Sequence, residues 1–307
     1  MFIKVFNDYS CIYNDNEIKN LAHYTDIDAL ISILENKELR AKSIMDFQND
    51  DWEGRLSINK LFNMIVNDSI IAMTPNQLNI LQKKIGNDDK INEFMRSIPT
   101  YVTCFSKNLE SNYMKNDFVS DATNGISTGR NIVIVFDAEK LKKDMYILTP
   151  KDDKKYCVHM GKIIYDEKKQ ISIIKDEAIK LWNALLADPY QLVDEEKIDY
   201  LLKKIYYIGV CFKNADGVMV SEDEEEVRSF INLVDNRTEK FTSYLPKEFE
   251  SENKKYKYRN IKFNIEDIQE IQIFRNGDST DEKIENVKSL IKRFIDIDNH
   301  RINLRIV

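Results

Sequence analysis

The pattern of apolar residues predicts an α+β chain, with a mixed or antiparallel sheet core, helices against it, and a helical insertion around 166–212 in a single domain spanning 1–307. Three observations predict it. Short runs of strand character occupy the first and last thirds of the chain, without the strict strand–helix alternation of a parallel sheet. Two long helical patterns, 167–186 and 194–207, stand between them. No internal repeat, low-complexity tract or Pro/Gly-rich linker divides the 307 residues.

In chain order, a short apolar run leads into the triplet His23-Tyr24-Thr25, which falls at a strand-to-helix junction of the kind that favours bound anions and sugars. Thr25 is the expected N-cap, with Asp26 and Asp28 in the first turn and Ile27, Leu30, Ile31 and Leu34 on one apolar stripe; Asn36 is the expected stop. A short strand near 39–41 follows, then a polar loop carrying Phe47, Trp52 and Gly54 that is too acidic to be buried. Helices are predicted over 52–67, 75–85 and 88–98, then strands over 101–106, 131–137 and 156–165. In the first long helical pattern Ile171, Ile174, Ala178, Leu181 and Leu185 are the apolar positions. Strands at 227–234, 258–264 and 269–274, a turn at Asn276-Gly277, a helix opened by a capping box of Ser279 with Glu282 and reaching about 295, and a final alternating strand through Ile302, Leu304 and Ile306 complete the chain.

Composition narrows the chemistry. Three widely spaced histidines and four cysteines with no CxxC pair speak against a zinc site, so no metal is expected. Eight glycines, and neither GxGxxG nor GxxxxGK, remove the usual phosphate-cradling loops; no GxSxG elbow is present. A net charge of -7 argues against a protein built to coat nucleic acid, though a small basic patch is compatible with it. The lysine-rich stretches 151–155 and 254–257 read as solvated surface. No apolar run reaches the roughly 20 residues of a membrane helix, the N-terminus does not read as a signal peptide, and unpatterned cysteines suit a reducing compartment. A cytoplasmic location without a membrane partner is the expectation.

The triplet at 23–25, the helix after it and the loop FQNDDWEG at 47–54 together resemble the opening of the bacterial domain-of-unknown-function-2971 family. YVTCFS at 101–106, GRNIVIVFD at 129–137, EEEVR at 224–228 and IQEIQIFRNGD at 268–278 are similar to further blocks of that family. The order of an HYT triplet, a strand ending in Ser and a Glu-x-Glu also resembles, less specifically, ADP-ribosyltransferases. That second resemblance implies an ADP-ribosyltransferase-like fold and nicotinamide adenine dinucleotide (NAD) as substrate, with an unidentified macromolecule or water accepting the ADP-ribose. A toxin or phage-defence role is what that enzyme class suggests.

The resemblance also implies roles. Cleavage of the nicotinamide–ribose bond builds positive charge on the ribose, which a nearby carboxylate stabilises. Glu226 takes that place, and Glu224 faces the incoming nucleophile. His23 would bond the adenosine ribose, Tyr24 would stack on nicotinamide, Thr25 completes the dinucleotide-binding triplet, Ser106 would brace the glutamate, and Arg228 would pair with an acidic neighbour or a phosphate. Plainer readings stand beside these: a structural histidine at a strand end, a solvated acidic loop at 221–226, and a serine that merely ends its strand. A non-catalytic ligand-sensing or partner-binding module and a nucleoside hydrolase are the competing functions.

Overall fold

The structure, a computed structural model, describes residues 11, 18–46, 54–107, 109, 132–148, 156–189, 191–213, 225–233, 247–251, 254–274, 281–295 and 302–307. They fall into two compact units, each built from separated stretches of chain: 1–15, 43–100 and 161–219 form one, and 16–42, 101–160 and 220–307 the other.

The second unit is a ten-stranded mixed sheet with helices. Its strands are β1 (Asn20–Thr25), β2 (Glu38–Ser43), β3 (Thr100–Ser106), β4 (Ile132–Asp137), β5 (Tyr156–Lys162), β6 (Glu226–Leu233), β7 (Lys247–Ser251), β8 (Lys254–Lys262), β9 (Ile268–Ile273) and β10 (Asn303–Ile306), and its helices are α1 (Ile27–Asn36), α5 (Ala138–Leu148) and α8 (Asp281–Phe294). The spatial order is β10-β9-β4-β1-β3-β2-β8-β7, and the sheet branches at β3, which also pairs with β6; β6 in turn pairs with β5. β10 runs parallel to β9, whereas β4 is antiparallel to both β9 and β1, and β8 to both β2 and β7.

Register sorts the side chains. In β1, Leu21 lies opposite Phe136, His23 opposite Ile134 and Thr25 opposite Ile132, so these share one face; Ala22 and Tyr24, opposite Val135 and Val133, share the other. The first face carries the main core, in which Leu21, Leu30, Leu39, Phe105, Ile134, Phe136, Val227 and Ile261 pack together. Ala22, Tyr24, Val133, Val135 and Phe274 form a smaller cluster on the second.

Local sequence explains α1, with two corrections. The cap is Asp26, whose carboxylate accepts from Ala29 N at 2.7 Å, because Thr25 is still extended and buried as the last residue of β1. Ile33, with Leu30 and Leu34, fills the buried stripe assigned to Ile31. The helix ends at Asn36, and Lys37 takes the left-handed conformation (φ 53°). The sequence reading did not foresee α5 and β7. The predicted turn at 276–277, the cap at Ser279 and most of the 47–54 loop lie outside the described residues.

The first unit is helical: α2 (Arg55–Val66), α3 (Pro75–Ile85), α4 (Asp88–Arg96), α6 (Glu167–Leu186) and α7 (Asp194–Gly209). Thr74 and Gln77 make the reciprocal capping box of α3, with Pro75 at its first position. Gly54 ends the acidic loop buried rather than exposed, at φ 76°, and a Cβ there would lie 2.7 Å from Tyr206 Cε2. α2 and α7 approach so closely at Gly209 that a Cβ would stand 2.0 Å from Ser57 Oγ.

In α6, Ile174, Ala178, Leu181 and Leu185 are buried as expected, but Ile171 faces solvent and Gln170 takes the inner place. Gln170 can be buried because its amide is satisfied: Nε2 donates to Ile164 O at 2.6 Å and Lys213 O at 2.8 Å, and Oε1 accepts from Lys60 Nζ at 3.1 Å. Lys204 is fully buried 3.5 Å from Glu177 Oε2. Among the described residues no helix is long and apolar enough to cross a membrane.

Candidate functional site

Where β1, β3 and β6 come together, four short-range facts place the residues singled out by sequence. Ala22 pairs with Ser106, setting the end of β3 beside the triplet on β1. His23 Nδ1 lies 3.1 Å from the Cys104 carbonyl, which accepts only, so the proton sits on Nδ1. Lys107 N donates to Glu225 O at 3.2 Å, joining the end of β3 to the start of β6. Lys107 Nζ also pairs with Glu225 at 2.7 Å. Ser106 and Glu226 are thus each one residue away from a direct backbone bond between their strands.

Strand alternation then divides the candidates between the two faces. His23 points to the core face, its ring 5.7 Å from that of Phe105. Thr25 is buried on the same side. Tyr24 points the other way, and so does Ser106, which is directly opposite Ala22. Val227 and Ile231 belong to the main core, which turns Glu226 and Arg228 to the face shared by Tyr24 and Ser106. The sheet therefore gathers Tyr24, Ser106, Glu226 and Arg228 on one face and sets His23 and Thr25 on the reverse. Glu224 lies outside the described residues.

The electrostatics of this face follow from burial. Tyr24 packs with Ala22, Val133, Val135 and Phe274, and that apolar setting pushes its hydroxyl up to about 12. The phenol is therefore neutral at physiological pH. Glu226 and Arg228 are both buried, and the guanidinium holds the carboxylate through two bonds, Nε to Oε1 at 2.7 Å and Nη2 to Oε2 at 3.4 Å. Residues two apart on a strand share a face, so the pair needs no help from chain folding to meet. The sequence reading of 221–226 as a solvated loop fails at its last residue, because the strand begins at Glu226 itself.

Two residues of the site escaped the sequence reading. Glu225 adopts φ 40°, a conformation that costs a non-glycine residue of the order of 1 kcal/mol and turns the chain into β6 at the carboxylate. Lys107, its ion-pair partner, directly follows the CFS segment. A cation abutting a strand end and facing an acidic run was the available signal. Among the described residues, no group of three or more His, Cys, Asp or Glu side chains is placed to hold a metal ion.

No protein-family model matches the chain. No curated protein matches it either. Among solved structures, DarT from Thermus sp. 2.9, in complex with ADP-ribosylated single-stranded DNA, is similar over 96% of this chain and 97% of that one, at 14% identity and a TM-score of 0.32. A score that low fixes neither fold nor chemistry.

Proposed function

We propose that this chain is an ADP-ribosyltransferase-like enzyme that binds NAD and either transfers its ADP-ribose to a macromolecule or releases it to water. One observation carries the reading: a buried carboxylate, Glu226, lies on the same face of the sheet as Ser106 and Tyr24, at the junction of three strands. Cleaving a nicotinamide–ribose bond needs a negative charge beside the ribose as positive charge develops there, and a carboxylate removed from water stabilises that charge more strongly than an exposed one. Arg228 holds Glu226 aimed through both carboxylate oxygens while substrate is absent. Ser106 braces the carboxylate and Tyr24 meets the nicotinamide, whereas His23 and Thr25, on the reverse face of the sheet, take no part in this site. Glu224 would orient the nucleophile. No metal takes part.

Nicotinamide release measured for the wild type and for Glu226→Gln tests the proposal. The substitution keeps shape and removes charge, so turnover should fall by at least about a hundredfold. Glu226→Asp, which keeps the charge, separates loss of chemistry from loss of folding.

A specific observation favours a second reading. Both carboxylate oxygens of Glu226 are engaged by Arg228, as in a purely structural ion pair, and a non-catalytic ligand-sensing or partner-binding module would look the same. NAD binding without nicotinamide release would support it. A nucleoside hydrolase also needs a carboxylate beside a ribose, and its product, a free base from a nucleoside, distinguishes it. A cytoplasmic role in defence or as a toxin extends the enzyme reading.

A further inference from the structure

The lysine–tyrosine stretch of the sequence forms β8, KKYKYRNIK, whose nine residues include five basic and no acidic ones. β8 pairs with β2 so that Glu38 meets Lys262, Arg40 meets Asn260 and Lys42 meets Tyr258. Leu39, Ala41 and Ile261 turn into the main core. Strand alternation therefore puts Arg40, Lys42, Tyr258, Asn260 and Lys262 together on the outer face. Arg40 is exposed, and the Lys262 side chain retains 47% of its accessible surface. Glu38, on the same face of β2, accepts a bond from Asn260 and lies 3.7 Å from Lys262.

The Arg40 guanidinium lies over the Tyr258 ring, 5.3 Å from its centroid. The stack orders a long side chain in advance and holds a flat, cationic surface outward. Bases stack on guanidinium planes as they do on aromatic rings, and only unpaired bases have faces free to do so. Lysines on either side along the strand direction suit the phosphates of a chain laid across the sheet.

We propose that the outer face of β2 and β8 binds single-stranded nucleic acid, with a base on the Arg40–Tyr258 stack and backbone phosphates at Lys42 and Lys262. An acidic protein segment would satisfy the lysines but leave the stacked plane unused, so the single strand fits the whole patch. The net charge of -7 confines such binding to a local site and makes it sensitive to salt. This inference is independent of the chemistry proposed for Glu226.

The test is fluorescence anisotropy of the full chain, without NAD, using a labelled thymidine oligonucleotide of about 15 residues at low salt. Binding should be measurable, should weaken about tenfold or more in Arg40→Glu, and should lose salt dependence by a slope of about one in Lys42→Ala. Tyr258→Leu, which keeps bulk on the strand and removes the stack, should weaken binding as well, with the folded circular dichroism spectrum unchanged. No binding by the wild type overturns the proposal. Equal binding by wild type and the Arg40 and Tyr258 variants overturns it, as does displacement of the oligonucleotide by polyglutamate at equal charge concentration.

Discussion

Arg228 grips Glu226 through both carboxylate oxygens from two positions along the same strand, and neither side chain has appreciable access to water. Two buried charges cost desolvation that their mutual contact helps to offset. Arg228→Met should therefore destabilise the protein by about 3–5 kcal/mol, because it takes the guanidinium away from a buried carboxylate. Adding Glu226→Leu to that variant should recover most of the loss in urea denaturation. A double variant no more stable than the single one contradicts the pairing.

A second carboxyl makes stability depend on pH. Asp267 is buried, and burial, with Asp144 and Glu266 nearby, raises it from 3.8 to about 6, although the Asn264 N–H bond acts the other way. The folded protein thus holds this proton more tightly than the unfolded chain. Its stabilising contribution is complete below pH 4 or so and is lost as pH rises through about 6. Between pH 7.5 and 5 the wild type should gain roughly 1.4 kcal/mol relative to Asp267→Asn, which keeps an oxygen for the Asn264 N–H. Parallel stability–pH curves for the two proteins would refute this.

Gly209 marks a close approach of α2 and α7 in the helical unit. Alanine there would drive a methyl into Ser57, with Oγ at 2.0 Å and Cβ at 2.5 Å. Thermal denaturation of Gly209→Ala should show a loss of about 1–3 kcal/mol. Ser57→Gly in the same chain should return part of it, whereas no change in either variant would mean that α2 and α7 are not held at this distance.

His23 faces the core, so its removal should register in stability before any ligand is added. His23→Ala gives up the bond to Cys104 O and the contact with Phe105. A loss of roughly 1–2 kcal/mol is expected from chemical denaturation without NAD. A fully stable variant would point to a histidine kept for a ligand alone.

Much of this architecture is legible in the sequence wherever a period is unambiguous. The α3 and α6 boundaries, Pro75–Ile85 and Glu167–Leu186, coincide with their predicted ranges because caps and apolar spacing agree. Legibility fails where a polar side chain finds an internal partner. Gln170 replaces Ile171 in the helical core because Ile164, Lys213 and Lys60 satisfy its amide, a set of contacts from distant parts of the chain. Asp26 caps α1 instead of Thr25 because cross-strand pairing with Ile132 claims Thr25 for β1.

The candidate site divides in the same way. That Glu226 and Arg228 share a face follows from a spacing of two on a strand. That His23 and Tyr24 face opposite ways follows from the same rule, once β1 is known to extend through both. The adjacency of Ser106 to Ala22 and of Lys107 to Glu225 depends on strand order, which no local pattern encodes.

The central claim is that Glu226 acts on a ribose. Nicotinamide release from NAD by wild type, Glu226→Gln and Glu226→Asp, each with its unfolding midpoint measured alongside, tests it most directly. The account predicts turnover by the wild type, a loss of about a hundredfold or more in the glutamine variant at matched folding, and partial activity in the aspartate variant. Equal rates in wild type and Glu226→Gln would contradict it.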